Sequence, residues 1–237
     1  MEPPDFTQNS SNEPKHLIVT GGNGFLGKQI CRLASEIKIC VTSISRSGKP
    51  KGIDDEDYKN VTWVSADIFN PADWKKCLDN CFAVIHSIGI IEEVPEKGIT
   101  YEKMILKSAE VVGITAKEEG IKRFIFISAG ASAPDTPKAY MEYKIKAENF
   151  LADLNLNLVI LRPCMLYGDE DPESIATNEN IQQLLLDPNV AHKLRPTRPL
   201  PVETVAKAAV FAALNASIAG KINVDEIENM ANDKLFF

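Results

Sequence analysis

The chain has 237 residues, enough for one well-filled α/β domain and too few for two large ones. A net charge of −7, with nothing in the sequence resembling a basic stripe, argues against a nucleic-acid partner. Five cysteines without a CxxC pair, beside three scattered histidines, leave no readable metal site and read as reduced, mostly buried thiols.

Met1 to Pro14 reads as a polar, acidic, proline-containing tail. It is neither a secretory signal nor an Arg-rich transit peptide, and no later apolar run is long enough to span a bilayer. Residues 15–237 are expected to form a single domain. A β-branched strand, His16–Thr20, runs into the glycine cluster Gly21-Gly22-Asn23-Gly24, and a helical pattern over Phe25–Ser35 leaves it. Further strands are expected at Ile37–Ser45, Val61–Ser65, Phe82–Ser87, Phe124–Ser128 and Asn157–Arg162, with a late one near Lys221–Val224. Helical patterns fall between them at Pro71–Leu78, Tyr101–Glu119, Lys138–Asp153 and Val202–Asn215. Strands separated by helices imply right-handed crossovers and a parallel sheet covered on both faces. The fold class is therefore α/β, a Rossmann-like doubly wound parallel sheet. Residues 169–201 break the rhythm, with one short helical pattern at Ile181–Leu186; they read as a small C-terminal cap or as a long surface loop.

Strand, glycine turn and helix in this order suit a dinucleotide pyrophosphate. Gly21 permits the tight turn, Gly24 lets backbone approach the phosphates, and Gly27 lets the helix pack closely. The phosphates would face the unpaired N–H groups at the helix start, around Phe25 and Leu26. A glycine-rich turn without a ligand is the plain alternative. At the end of the second strand, Ser45 and Arg46 replace the carboxylate that would bond a ribose 2′-hydroxyl. Arg46, with Lys49 nearby, suits a 2′-phosphate, so NADP(H) is favoured over NAD(H), unless both are solvated loop charges. Asp67 and Ile68 follow the third strand, where they would bracket an adenine, although Asp67 also reads as a helix-start signal. His86 reads as a packed strand-end residue, and Gly89 would let backbone run beside the cofactor.

Tyr140 and Lys144 lie four residues apart on one face of a helix, with Thr136 read as its N-cap and Pro137 as its first residue. A lysine there would lower the tyrosine pKa toward neutrality, and Ser128, closing the preceding strand, would hold a substrate oxygen. Tyr143 is the competing phenol, without a lysine four residues on. Pro163 ends the sixth strand and exposes backbone groups, which would serve either a nicotinamide amide or a plain exit from the strand.

The ordered set Thr20-Gly21-x-x-Gly24-x-x-Gly27, Ser128, Tyr140-x-x-x-Lys144 and Arg162-Pro163-x-x-x-Tyr167-Gly168 resembles the extended and atypical short-chain dehydrogenase/reductase superfamily over His16 to Val224. Gly-Gly-Asn-Gly-Phe-Leu-Gly, Ser-x-Ser-Arg-Ser-Gly-Lys and Ala-Asp-Ile-Phe are similar to its atypical mitochondrial branch. That branch includes a dehydrogenase-like protein associated with coenzyme Q synthesis and the nucleotide-binding accessory subunit of respiratory complex I. The resemblance implies NADP(H) binding through the glycine turn, Arg46 and Asp67, with Tyr140, Lys144 and Ser128 at the catalytic positions. It implies an oxidoreductase that reduces a small carbonyl or quinone-like substrate in the mitochondrion; otherwise the cytoplasm is expected. A rival reading is a catalytically silent NADP(H)-holding scaffold or assembly subunit of a mitochondrial complex. A weaker third is a sugar-nucleotide epimerase or dehydratase, for whose large pocket the segment after Gly168 is short.

Overall fold

A strand buried on both faces needs apolar residues at every position, and the middle of this sheet has them. The computed structural model describes residues 16–130, 136–168 and 172–233; the expected tail, 1–14, lies outside the described residues. Strands β1 (His16–Thr20), β2 (Cys40–Ser45), β3 (Val61–Ser65), β4 (Cys81–His86), β5 (Arg123–Ile127) and β6 (Asn157–Leu161) pair in parallel. With β9 (Gly220–Ile222) they form a seven-stranded sheet in the order β3-β2-β1-β4-β5-β6-β9. Side chains alternate across it. Leu17, Val19, Ile85 and Ile125 enter one core with helices α1 (Phe25–Glu36) and α6 (Val202–Leu214). Ile18, Val84, Phe124 and Phe126 enter the other, with α2 (Ser108–Glu118) and α3 (Lys138–Ala152). The Rossmann-like class expected from the alternation is the fold observed.

Strand order reverses at β1: β2 and β3 are laid down on one side of it, β4 and the later strands on the other. This switch point opens a crevice beyond the carboxyl ends of the two strands, where ligands of such sheets bind.

Several local expectations are corrected. The second strand begins at Cys40 rather than Ile37, because Lys38 takes a left-handed φ of 63° in the turn that ends α1. Pro71–Leu78 is two 3₁₀ turns, Pro71–Asp73 and Lys75–Leu78, broken at Trp74, whose indole N–H is held by Ile68 O. The helix expected over Tyr101–Glu119 opens with a π-helical stretch, Glu102–Lys107, before α2. Pro137, not Thr136, is the N-cap of α3, which starts at Lys138. The late strand stops at Ile222, and Val224–Ala231 is a further helix, α7, opened by an Asn223/Glu226 capping box.

The segment between strands β7 (Leu166–Tyr167) and β8 (Leu200–Pro201) is helical where described, as α4 (Pro172–Leu184) and α5 (Pro188–Leu194). Arg198 ties the return of this segment to α7 through Asp225, at 2.6 Å, and Glu228.

Arg123 fastens α6 to the sheet. It is only 6% exposed and donates to the carbonyls of Ala212, Asn215 and Ile218 and to Asn157 Oδ1. A cation is thereby set against the negative end of the helix and satisfies carbonyls that helix geometry leaves orphaned. Arg123→Met keeps much of the stem but strands those carbonyls. It should lower unfolding free energy by about 3 kcal/mol, read from the midpoint shift in a urea titration.

Candidate functional site

The glycine turn closes on its own backbone. Gly21 takes φ +81° and donates to Ile44 O at 2.8 Å, carrying the β1–β2 ladder one residue beyond the strand. Gly24 donates to Gly21 O at 2.9 Å and is the N-cap of α1, with no side-chain cap bond. The first N–H groups of α1 are therefore left to a ligand or water. A Cβ on Gly27 would lie 2.2 Å from Gly21 O and 2.7 Å from Gly22 Cα, so only glycine lets the helix start sit against the turn. Leu26 is buried in the core, and the Phe25 ring lies beside Gly168. What these two offer a ligand is main chain.

A cleft of about 390 Å³ lies over this turn and the ends of β2, β3 and β4. Gly21 and Gly24, Ser45 and Arg46, Asp67 and Ile68, and Ser87 to Gly89 all line it. Expected nucleotide residues from four separate stretches thus meet in one crevice. The Ser45 hydroxyl is engaged with Gly48 O at 3.1 Å, whereas Arg46 is anchored only through its carbonyl, by Ser65 Oγ at 2.8 Å, and its guanidinium is exposed. Lys49 pairs with Asp55 and does not line the cleft. Asp67 accepts the Phe69 N–H at 3.1 Å, so it caps the following turn as well as facing the cleft. Lys97 and Lys103 line another wall, and no motif in the sequence pointed to them.

Helix α3 carries Tyr140, Lys144 and Glu148 one turn apart on a single face. Lys144 is 4% exposed and donates to Ile127 O at 2.8 Å, with its ammonium 5.3 Å from the Phe126 ring centre and 5.8 Å from that of Tyr140. An ideal Cβ on Gly89 would stand 3.5 Å from Lys144 Nζ, so the amine reaches the cleft wall at a residue without a side chain. Burial pulls the Lys144 pKa down to about 8, opposed by Glu148. The expectation that Lys144 lowers the Tyr140 pKa is corrected: burial, then Tyr101 and Cys164, push that phenol up to about 12. Tyr101 packs edge-on against Tyr140 with ring centres 5.7 Å apart. Tyr143, the competing phenol, has Lys146 over its ring at 4.5 Å.

Ser128 is buried and donates to Glu148 Oε1 at 2.6 Å. Glu148, 1% exposed, also accepts from Arg162 Nε at 2.9 Å and from Arg162 Nη2, and Lys221 stands 3.6 Å away. Hydrogen bonds from Arg162 and Ser128 outweigh burial and hold the Glu148 carboxyl below its usual range. An ionised carboxylate only accepts, so the Ser128 proton lies toward Glu148 and its lone pairs remain for another donor. Sequence reasoning missed Glu148, although its place four residues after Lys144 was a usable signal.

His86 is fully buried, bonded through Nδ1 to Thr20 Oγ1 at 2.7 Å and through Nε2 to Ser108 Oγ at 3.2 Å. Burial, then Lys144, lower its pKa to about 3, so it is a neutral packing residue, as its strand-end position suggested. The Pro163 carbonyl accepts from Gly130 N at 2.7 Å. That carbonyl is therefore already engaged within the fold. Among the described residues no helix is long and apolar enough to cross a membrane.

Residues 21–191 match the family model described as NAD(P)H-binding. MIOREX complex component 2 of Saccharomyces cerevisiae is 29% identical across 89% of this chain and 98% of its own length. Protein FMP52, mitochondrial, of Meyerozyma guilliermondii is 24% identical across 83% of this chain and 84% of its own. Among solved structures, the oxidoreductase ylbE of Lactococcus lactis superposes with a TM-score of 0.65 at 19% identity, covering 90% of this chain and 95% of that one. A UDP-N-acetylglucosamine 4-epimerase of Methanobrevibacter ruminantium gives 0.64 at 23% identity, covering 89% and 76%. At such identities these structures speak for the fold alone. Sheet, glycine turn and family match agree: the chain has a Rossmann-like fold and belongs to the NAD(P)H-binding family.

Proposed function

We propose that the protein is an NADP(H)-dependent reductase of a small carbonyl or quinone-like acceptor. The observation that carries this reading is the Lys144 amine, which reaches the cleft wall at Gly89 from a helix that also holds Tyr140. The cleft fits the nucleotide: the cradle at Gly27 has no room for a Cβ, and the α1 N-terminus carries no side-chain cap. Backbone from Gly21 to Gly27, including Phe25 and Leu26, would hold the pyrophosphate. Ser45 and Arg46 would face the 2′-phosphate, Asp67 and Ile68 the adenine, Lys144 a ribose, and Pro163 the nicotinamide end. Bound NADPH supplies a hydride.

The remaining chemistry belongs to the chain. A phenol with a pKa of about 12 stays protonated near neutrality, so Tyr140 Oη acts as acid toward the acceptor oxygen. A protonated phenol is the form that the reductive direction requires. Ser128 would hold the acceptor oxygen only by turning its proton away from Glu148, since its lone pairs alone cannot bond a carbonyl oxygen. The compartment proposed is the mitochondrion, supported by the printed name of the Meyerozyma relative.

A second reading, a nucleotide-holding subunit of a mitochondrial complex without turnover, is favoured by the Ser128–Glu148 bond, which takes up a hydroxyl that catalysis would use. The yeast relative, named as a complex component, points the same way.

Four measurements test these readings. Calorimetry should show NADPH binding at least about tenfold more tightly than NADH, with Arg46→Ala erasing most of the difference and Gly24→Val abolishing both. Equal affinities in the unmodified protein would sink the NADP(H) assignment. Tyr140→Phe should keep NADPH affinity while reduction of menadione or diacetyl falls by roughly a hundredfold. Full rescue of a deletion strain by Tyr140→Phe would instead establish the silent subunit. Reductive turnover should be level below pH 7 and decline above about pH 8, as Lys144 loses its proton and the charge that holds the ribose. A profile flat through pH 9 would remove Lys144 from that role.

A further inference from the structure

We propose that Lys97 and Lys103 form an outer jaw of the cleft, a second subsite for a phosphate group of the bound nucleotide. The inference rests on the nucleotide reading above and adds to it residues outside the glycine turn and Arg46.

Both lysines come from the segment after β4 and line the cleft from there. Lys97 ends a 3₁₀ turn, Pro95–Lys97, and Gly98 follows it at φ +66°. The turn is closed by two bonds between Val94 and Ile99, Val94 N to Ile99 O at 2.8 Å and Ile99 N to Val94 O at 3.2 Å. A closed turn costs little entropy to present a side chain, because its backbone is already ordered. Lys103 stands in the π-helical stretch, with its N–H on Thr100 Oγ1 at 3.2 Å and its ammonium 5.2 Å from the Phe69 ring centre. Phe69 directly follows Asp67 and Ile68, so this ammonium lies at the end of the cleft proposed for the adenosine.

The charges are arranged for an anion. Lys49, Lys59 and Lys107 each pair with a carboxylate, whereas among the described residues Arg46, Lys97 and Lys103 have no such partner. Three cations therefore line the cleft against a single carboxylate, Asp67, which already accepts the Phe69 N–H. This stands out in a chain of net charge −7. A phosphate monoester carries about −1.5 to −2 at neutral pH, and a helix N-terminus contributes only about half a positive charge. Arg46 and α1 alone leave a nucleotide bearing a pyrophosphate and a further phosphate under-neutralised. Lysines at a solvated rim act as point charges on phosphate, a role that demands no bidentate geometry.

The test is calorimetry on the full chain with NADPH, NADH and 2′,5′-ADP, for the unmodified protein and for Lys97→Gln, Lys103→Gln and the double variant. The double variant should bind NADPH about tenfold more weakly, each single variant falling between, with a shallower dependence on salt. Loss confined to NADPH and 2′,5′-ADP identifies the 2′-phosphate as the group held. Equal loss for NADPH and NADH identifies the pyrophosphate; either result supports the jaw. Unchanged affinity for all three ligands in the double variant overturns it. A double variant with Arg at both positions should restore binding, and failure of that rescue also overturns it. Unmodified protein that binds NADPH and NADH equally refutes the Arg46 assignment alone, and the jaw is then decided by the NADH titrations. Unmodified protein that binds none of the three ligands overturns both.

Discussion

The contact on which the site depends is between two glycines. Gly27, in the first turn of α1, lies so close to the Gly21 carbonyl that no side chain fits between them. That closeness sets the angle at which α1 leaves β1, and so where its unpaired N–H groups point. The same turn is held from the other side by Gly21 N on Ile44 O, which makes it a continuation of the sheet. Thr20, the residue before it, is tied to His86 at the end of β4. Because burial keeps His86 neutral, this brace carries no charge that would compete for the helix end. Turn, helix start and the two central strands thus behave as one rigid object at the switch point, and rigidity there reduces the cost of ordering a ligand.

Electrostatics divides the molecule into two unlike regions on either side of Gly89. Toward β2 and the segment after β4, Arg46, Lys97 and Lys103 line the cleft without a carboxylate partner among the described residues. Toward β6 the pattern is inverted, with Glu148 buried and ionised between Ser128 and Arg162. A buried pair of this kind is retained at a desolvation cost, and removing one member leaves the other uncompensated, typically at 3–5 kcal/mol. Its hydrogen bonds join the ends of β5 and β6 to α3, so the helix that carries Tyr140 and Lys144 is located by them. Lys144 sits at the boundary. Its charge is weakened by burial and supported by Glu148, and a nearby ligand charge would act on it strongly.

The order of elements was legible because burial on both faces leaves a plain mark, unbroken apolar runs such as Leu17–Val19 and Phe124–Ile127. The glycine turn was legible because chain geometry allows few residues there. The π-helical stretch was not, since the pattern over Tyr101–Glu119 is equally that of an α-helix. The departure coincides with Ser108, whose hydroxyl bonds back to Met104 O at 2.7 Å while also meeting His86, a tertiary contact invisible to periodicity. Helix α7 left a signal, the Asn223-Val-Asp-Glu226 box, that a strand assignment over Lys221–Val224 overwrote. The candidate site was read through its spaced motifs: Arg46 and Asp67 line the cleft, and Tyr140 and Lys144 share one face of α3. Lys97 and Lys103 belong to no motif, because they reach the cleft through a turn whose shape depends on Gly98. The Tyr140 pKa went the other way for a similar reason. Spacing shows that Lys144 is near, but not that Tyr101 and burial outweigh it.

The cleft and the proposed catalytic face occupy separate parts of this fold, so the loss of one would not require the loss of the other. The cleft is made from backbone at Gly21 to Gly27 and from cations on loops, and none of these needs Tyr140. The Tyr140–Lys144–Glu148 face belongs to α3 and meets the cleft at Gly89, where an absent side chain lets the amine through. A molecule that only held nucleotide could fill this passage with any small side chain, since an added Cβ would contact only the flexible end of Lys144. Keeping it open has no evident structural purpose: Gly89 has an ordinary φ, is exposed, and spares the core nothing. An open passage is what the proposed reduction would need, and the Ser128–Glu148 bond fixes where the serine proton lies. With the serine proton on Glu148 and the Lys144 amine on Ile127 O, the Tyr140 hydroxyl is the one of the three without an acceptor among the described residues. In the proposed reduction, proton supply would therefore rest on a single phenol.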